Sequence, residues 1–339
     1  MSDKRHQLSI LDQWASGTGQ VSRSTERLFE IAEWIDWEPL YEVGHRLDKT
    51  GLQGGQPRKP VRWMIRGLFL AHLYQLSDPQ LAGQLTRHLS FRRFTGLPLD
   101  QKVPDFTTFW WFREQLANEG LVKELFNQIT RQLESKGLIL KRGTVVDATI
   151  INSGNRPLST EQRKELEEEP SSQIDIEADS TKKNGTWYFG YKGHVGIDES
   201  SKLIRKLSFT EASRHDSTQL DNLLSGDERS IFGDKAYPSE ELKQKCRKEG
   251  IYYGVLDKAY RYRPLSRAQK TRNKRKRRVR RYVEHPFSDP KRRYGMGVAK
   301  AKTKLRNKAR FIMSVICWNI ERSISWSKKN SNITPARAT

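Results

Sequence analysis

The texture of the chain changes near residue 141, and that change limits the folds open to it. Ahead of it the pattern is helical. Residues 61–76 are mostly apolar and follow Pro60; Ser77-Asp78-Pro79-Gln80 comes directly after, with Ser77 placed to cap the next helix and Gln80 to reach back. Pro104 and Asp105 announce a further helix over residues 106–116, with Asp105 as its N-cap. Short helices in close succession, with Arg87, His88, Arg92 and Arg93 nearby, fit a helix-turn-helix reader of DNA and equally a packing or dimerisation module. Beyond residue 141 the pattern is that of strands. Residues 144–151 read as a buried strand, 187–197 and 203–209 as the next two, and 229–233 and 251–256 as two more. Helical segments at 216–224 and 239–249 precede the last two. Three strands followed by alternating helix and strand make an α/β fold, a mixed sheet with helices packed on it, preceded by an N-terminal α-helical domain.

A chain of 339 residues has room for about two domains. We expect a helical DNA-binding or dimerisation domain over residues 1–140, a catalytic domain over 141–325 and a tail over 326–339. Within the second, residues 153–185 carry Glu161, Glu165, Glu167, Glu168, Glu169, Asp175, Glu177 and Asp179 and few apolar side chains, which reads as a solvated acidic insertion. The opposite extreme lies at residues 261–281, with twelve Lys or Arg and no acid. The formal net charge of the whole chain is +22, so its partner is expected to be a polyanion, and we read this run as a track for DNA phosphates in preference to an uninvolved disordered arm. No apolar stretch approaches the roughly 20 residues that cross a bilayer, so no membrane role is expected. Cys246 and Cys317 have neither disulfide nor zinc-site spacing, which points to a reducing, cytoplasmic setting.

Three acids stand out against this basic background. Asp147 lies inside the apolar run 143–151, Asp234 in Phe232-Gly233-Asp234-Lys235-Ala236-Tyr237, and Glu284 among Arg280, Arg281 and His285. Taken singly, each has an ordinary reading: a wet position on an edge strand, a turn residue, an ion-pair partner for Arg280 or Arg281. Taken together, an Asp in mid-strand, another just beyond a neighbouring strand and a later Glu form a carboxylate set for hard divalent ions. Two Mg²⁺ about 4 Å apart serve phosphodiester chemistry in this way. His194 and His215 are weaker candidates, for orienting water or phosphate, with a structural role the simpler reading.

These segments carry a resemblance. Val145-Val146-Asp147-Ala148-Thr149-Ile150, the Gly233-Asp234-Lys235 segment, and Arg280, Glu284 and Lys291 at their spacing resemble the DDE transposases of bacterial insertion sequences, closest to the insertion sequence 5 family and related to the insertion sequence 4 type. In that family a Tyr stands three residues ahead of the Arg, where this chain has Arg277. Residues 187–194 and Arg214-His215-Asp216 are similar too, as are Trp37-Glu38-Pro39-Leu40, residues 73–78 and 91–97, and Asp105 with Thr107, Thr108, Phe112 and Arg113. The likeness runs over about residues 28–320. It implies a ribonuclease-H-like core, with Asp147, Asp234 and Glu284 as metal ligands and Arg280 and Lys291 completing the catalytic set. It further implies Mg²⁺ as cofactor, with Mn²⁺ as substitute, and double-stranded DNA as partner, both terminal inverted repeats and target. A homodimer or larger synaptic assembly and a nucleoid-associated location also follow. The alternative from another class is a non-catalytic DNA-binding remnant acting as a regulator; a nuclease without a joining step is a second.

Overall fold

The computed structural model describes residues 23–50, 58–169, 174–259, 261–280 and 285–330. The chain divides into two compact units, Met1–Gln132 and Leu133–Thr339.

The first unit is helical, with α1 (Arg23–Trp34), α2 (Glu38–His45), α3 (Val61–Leu73), α4 (Asp78–Arg87), α5 (Leu89–Thr95), α6 (Phe106–Asn118) and the start of α7 (Leu121–Ser135). Helix α3 lies centrally because its apolar residues leave almost no polar side: Met64, Ile65, Leu68, Phe69 and Leu70 are all buried. Trp37, Phe69 and Phe94 form its aromatic core, with Trp37 edge-on to both rings at 5.5 Å. The expected caps are in place. Ser77 and Gln80 make a capping box on α4, and Asp105 accepts from the Thr107 amide at the head of α6. Arg113 of α6 grips Asp78 through two hydrogen bonds of 2.6 and 2.8 Å, fixing the start of α4. Arg92 departs from its expected place among the DNA-facing bases. It is buried, and one guanidinium nitrogen donates to the carbonyls of Pro98, Leu99 and Gln101, closing the loop after α5.

Among the described residues, the second unit is a seven-stranded mixed sheet flanked by helices. Its strands are β1 (Thr144–Ser153), β2 (Asp179–Lys183), β3 (Thr186–Asp198), β4 (Ile204–Glu211), β5 (Ser230–Phe232), β6 (Tyr252–Tyr253) and β7 (Val298–Ala299). β3 runs antiparallel to β1, β2 and β4, while β5 and β7 run parallel to β1 and β6 parallel to β5. Three antiparallel strands continued by two parallel ones, with the first strand in the middle, is the ribonuclease-H-like arrangement. Its faces follow from the strand period of two. On one face Val146 and Ile231 pack with Leu220 and Leu223 of α9 (Leu220–Leu223) and Leu242 of α10 (Glu240–Lys248). On the other, Phe311 of the long α13 (Lys304–Lys329) stacks near Phe209 and lies so close over Gly193 that a Cβ there would stand 2.4 Å from its ring. Asn319 of the same helix pairs with both the amide and the carbonyl of Ile204, at 2.9 and 2.8 Å.

The acidic insertion is more ordered than its composition implied. It holds α8 (Thr160–Glu168), opened by a Ser159–Gln162 capping box, and β2, which pairs with β3 from Asp179 to Lys183. Asp175, read from the sequence as one of a solvated block, is 1% exposed and accepts from the Tyr191 hydroxyl at 2.6 Å. A buried phenol in need of an acceptor draws that acid onto the sheet.

Candidate active site

Asp147 and Asp234 come together because β1, which carries the first, runs beside β5, which leads into the turn carrying the second. In the parallel pair β1 and β5, Val145 stands opposite Phe232; two residues further along each chain come Asp147 and Asp234. β1 keeps β5 at its first residues and β7 at its last, so among the described residues the stretch carrying Asp147 has no strand partner on that edge. The Ala148 amide is satisfied there by the Asp147 carboxylate itself, at 2.9 Å. Asp234 opens a tight turn closed by the Tyr237 amide on its carbonyl, at the carboxyl end of β5 where α/β sheets commonly place their sites. The chain leading to it is fixed by the stretch just after β6, where the Gly254 and Leu256 amides donate to the carbonyls of Ile231 and Gly233.

The third member is Arg280, the last residue of α11 (Arg267–Arg280). Its guanidinium lies 3.6 Å from Asp147 Oδ2 and 3.3 Å from Asp234 Oδ1. What places it there is one stripe of α11. Asn273 bonds both the amide and carbonyl of Asp257, Lys276 donates to the Val255 carbonyl at 2.6 Å, and Arg280 follows on the same face. The expected alternative of a disordered arm is therefore replaced by a helix. Arg267, Lys270, Arg272, Lys274, Arg275, Arg277 and Arg278 remain exposed on its other sides.

Electrostatics at the site oppose one another. Burial pushes the Asp147 carboxyl above the ordinary range and Asp234 adds to this, while Arg280, the Ala148 amide and Lys183 pull it down. Lys183, at the end of β2, also joins burial in lowering Lys291 of α12 (His285–Tyr294). The sequence reading missed Lys183 because it sits in the acidic insertion; only the pairing of β2 with β3 brings its charge to bear on the site. Tyr237 is a second such residue, its hydroxyl buried without a partner and its acidity depressed by burial, Asp216 and Asp147.

Glu284 lies outside the described residues. Among the described residues no group of three His, Cys, Asp or Glu is set to hold a metal ion. Asp147 and Asp234 nonetheless supply hard oxygen donors around a point where a cation, that of Arg280, already sits, which suits a divalent ion. His194 is structural in its contacts, with Nε2 2.9 Å from the Thr210 hydroxyl, and the exposed His215 caps the turn at Ser217. Both cysteines are buried and free, and among the described residues no helix is long and apolar enough to cross a membrane.

Among solved structures, the chain is similar to the piggyBac transposase in a synaptic complex with hairpin DNA, at 10% identity and a TM-score of 0.44, over 91% of this chain and 74% of that one. It is also similar to the Mos1 strand transfer complex, at 14% identity and a TM-score of 0.19 over 87% and 86% of the two chains. In sequence, residues 139–320 match the transposase DDE domain and residues 17–115 a second transposase domain. The first match covers more than half of the chain and contains Asp147, Asp234 and Arg280; this protein belongs to the family of DDE-domain transposases.

Proposed function

We propose that the chain is the transposase of a bacterial insertion sequence of the insertion sequence 5 type, which binds the terminal inverted repeats of its element, cuts the ends and joins the freed 3′-hydroxyls to target DNA. The observation that carries the reading is that Asp147 on β1 and Asp234 in the turn just beyond the parallel strand β5 both pair with one guanidinium. In this reading the two aspartates and Glu284 hold Mg²⁺, or Mn²⁺ in its place. Bound divalent ions supply charge relief at the scissile phosphate and an activated water.

The protein's own groups do the rest. Asp147, fixed by the Ala148 amide and backed by the packed sheet, holds its oxygens in one direction, and Asp234 holds its own from a turn pinned by the stretch just after β6. Arg280 and Lys291 contact phosphate of the bound strand. The exposed bases of α11 track the duplex, the helical unit of residues 1–140 reads or pairs the ends, and two copies bring the two ends together. The test is to mix purified protein and Mg²⁺ or Mn²⁺ with DNA bearing the inverted repeats that flank the coding region. Cut ends joined to a target plasmid are expected; cutting without joined product would reduce the protein to a nuclease, and binding without cutting to a regulator.

A further inference from the structure

Arg280 is held by charge and poorly by hydrogen bonds. Its two carboxylate contacts, at 3.6 and 3.3 Å, are ion pairs without hydrogen-bond geometry, and its Nε is buried with no acceptor. A guanidinium carries five N–H donors in a planar fork and is normally placed where the fork is used. Here it stands off two carboxylates that it can neutralise only by half. Each partner would do better elsewhere: the carboxylates with a divalent ion at close oxygen contact, the fork with two oxygens of a phosphate. The helix that carries Arg280 is also the one that exposes seven further Lys and Arg side chains, so a phosphate backbone lying along it arrives beside the same guanidinium.

We propose that Arg280 is a displaceable counter-ion that keeps the Asp147–Asp234 pair closed to metal until DNA binds, so that substrate binding and metal loading are coupled through one side chain. The inference rests on the reading of those aspartates as metal ligands. In the DNA-free protein the guanidinium occupies the place between the two acids and a metal must expel it. A phosphate taking up the fork removes the competitor, and the acids then bind metal more tightly; by reciprocity, metal tightens the hold on DNA. Premature metal loading, and with it unspecific cutting, is thereby disfavoured.

The experiment is a titration of the full-length protein with Mn²⁺, free ion being counted by electron paramagnetic resonance. It is run without DNA and with a short duplex whose own uptake is measured and subtracted. Without DNA, Arg280→Gln should bind Mn²⁺ about tenfold or more tighter than wild type, since a positive charge has left the site. The duplex should tighten wild type by a comparable factor and leave Arg280→Gln nearly unchanged. Arg280→Lys keeps the charge and should stay close to wild type without DNA, which separates charge competition from disturbance of the helix. If Arg280→Gln binds Mn²⁺ no more tightly than wild type while Asp147→Asn abolishes binding, the gating role is wrong and the metal assignment stands. If Asp147→Asn leaves binding intact, the metal assignment itself is wrong, and the gate falls with it.

Discussion

At the scale of the residue, His194 shows how a polar group beside the site is committed to structure. The Thr210 hydroxyl gives its hydrogen to the Glu211 carbonyl at 3.0 Å, so it must accept from His194 Nε2, leaving Nδ1 a buried acceptor on a neutral ring. Burial depresses its pKa to about 4, against an opposing pull from Asp216 and a push in the same direction from Lys192. In the unfolded chain the ring takes up a proton near pH 6.5. The folded protein therefore binds fewer protons through the window from about 6.5 down to 4, and stability falls as pH falls through it. The loss at this one site is on the order of 2 kcal/mol between pH 7.5 and 5. Urea denaturation of wild type at those two pH values should show it, and His194→Gln should lose distinctly less; an equal loss in both would remove the assignment. The sequence led to a structural reading of this histidine without revealing its partner, because Thr210 reaches it only through the pairing of β3 with β4.

Among the elements, α11 is the one whose charge was legible and whose form was not. Nine of its fourteen residues are Lys or Arg, with no acid to offset them and no apolar stripe, so local propensity argued against a stable helix. Its attachment is by polar side chains to carbonyls and amides just after β6: Asn273 and Lys276 spend their hydrogen bonds on Asp257 and Val255. No period of hydrophobicity announces an attachment of that kind. The acidic insertion erred in the same direction, since Asp175 is fixed by a tyrosine on β3 sixteen residues away and β2 by an edge that the sequence does not display. By contrast, the strand carrying Asp147 and the turn carrying Asp234 were legible, since an acid in an unbroken apolar run and a Gly-Asp step after a short strand are both local features. If α11 is the phosphate track, replacing Lys270, Lys274 and Arg277 by Gln should flatten the dependence of log affinity on log salt by about 0.9 for each phosphate no longer neutralised. Preference between cognate and unrelated ends should stay the same. Filter binding across a salt series reads both, and a change in preference with an unchanged slope would contradict the track.

At the scale of the whole molecule, a chain with a formal net charge of +22 carries a small acidic pair within its second unit. The sheet positions that pair. β3 binds β1 along its length on one side, while among the described residues β5 and β7 pair only with the two ends of β1 on the other; Asp147 lies on the stretch between, and Asp234 two residues beyond β5, both within ion-pair reach of Arg280. The alternation of helix and strand foretold the sheet. That two acids eighty-seven positions apart would be brought together came only from the register of β1 on β5, which propensity cannot supply. The most direct test of the account is the rate at which wild type, Asp147→Asn and Asp234→Asn cut DNA carrying the element's own ends in Mg²⁺, with end binding measured on the same preparations. The expected result is loss of cleavage by about a thousandfold or more in each variant, some 4 kcal/mol in the barrier, with binding retained. Cleavage at the wild-type rate by either variant would contradict it.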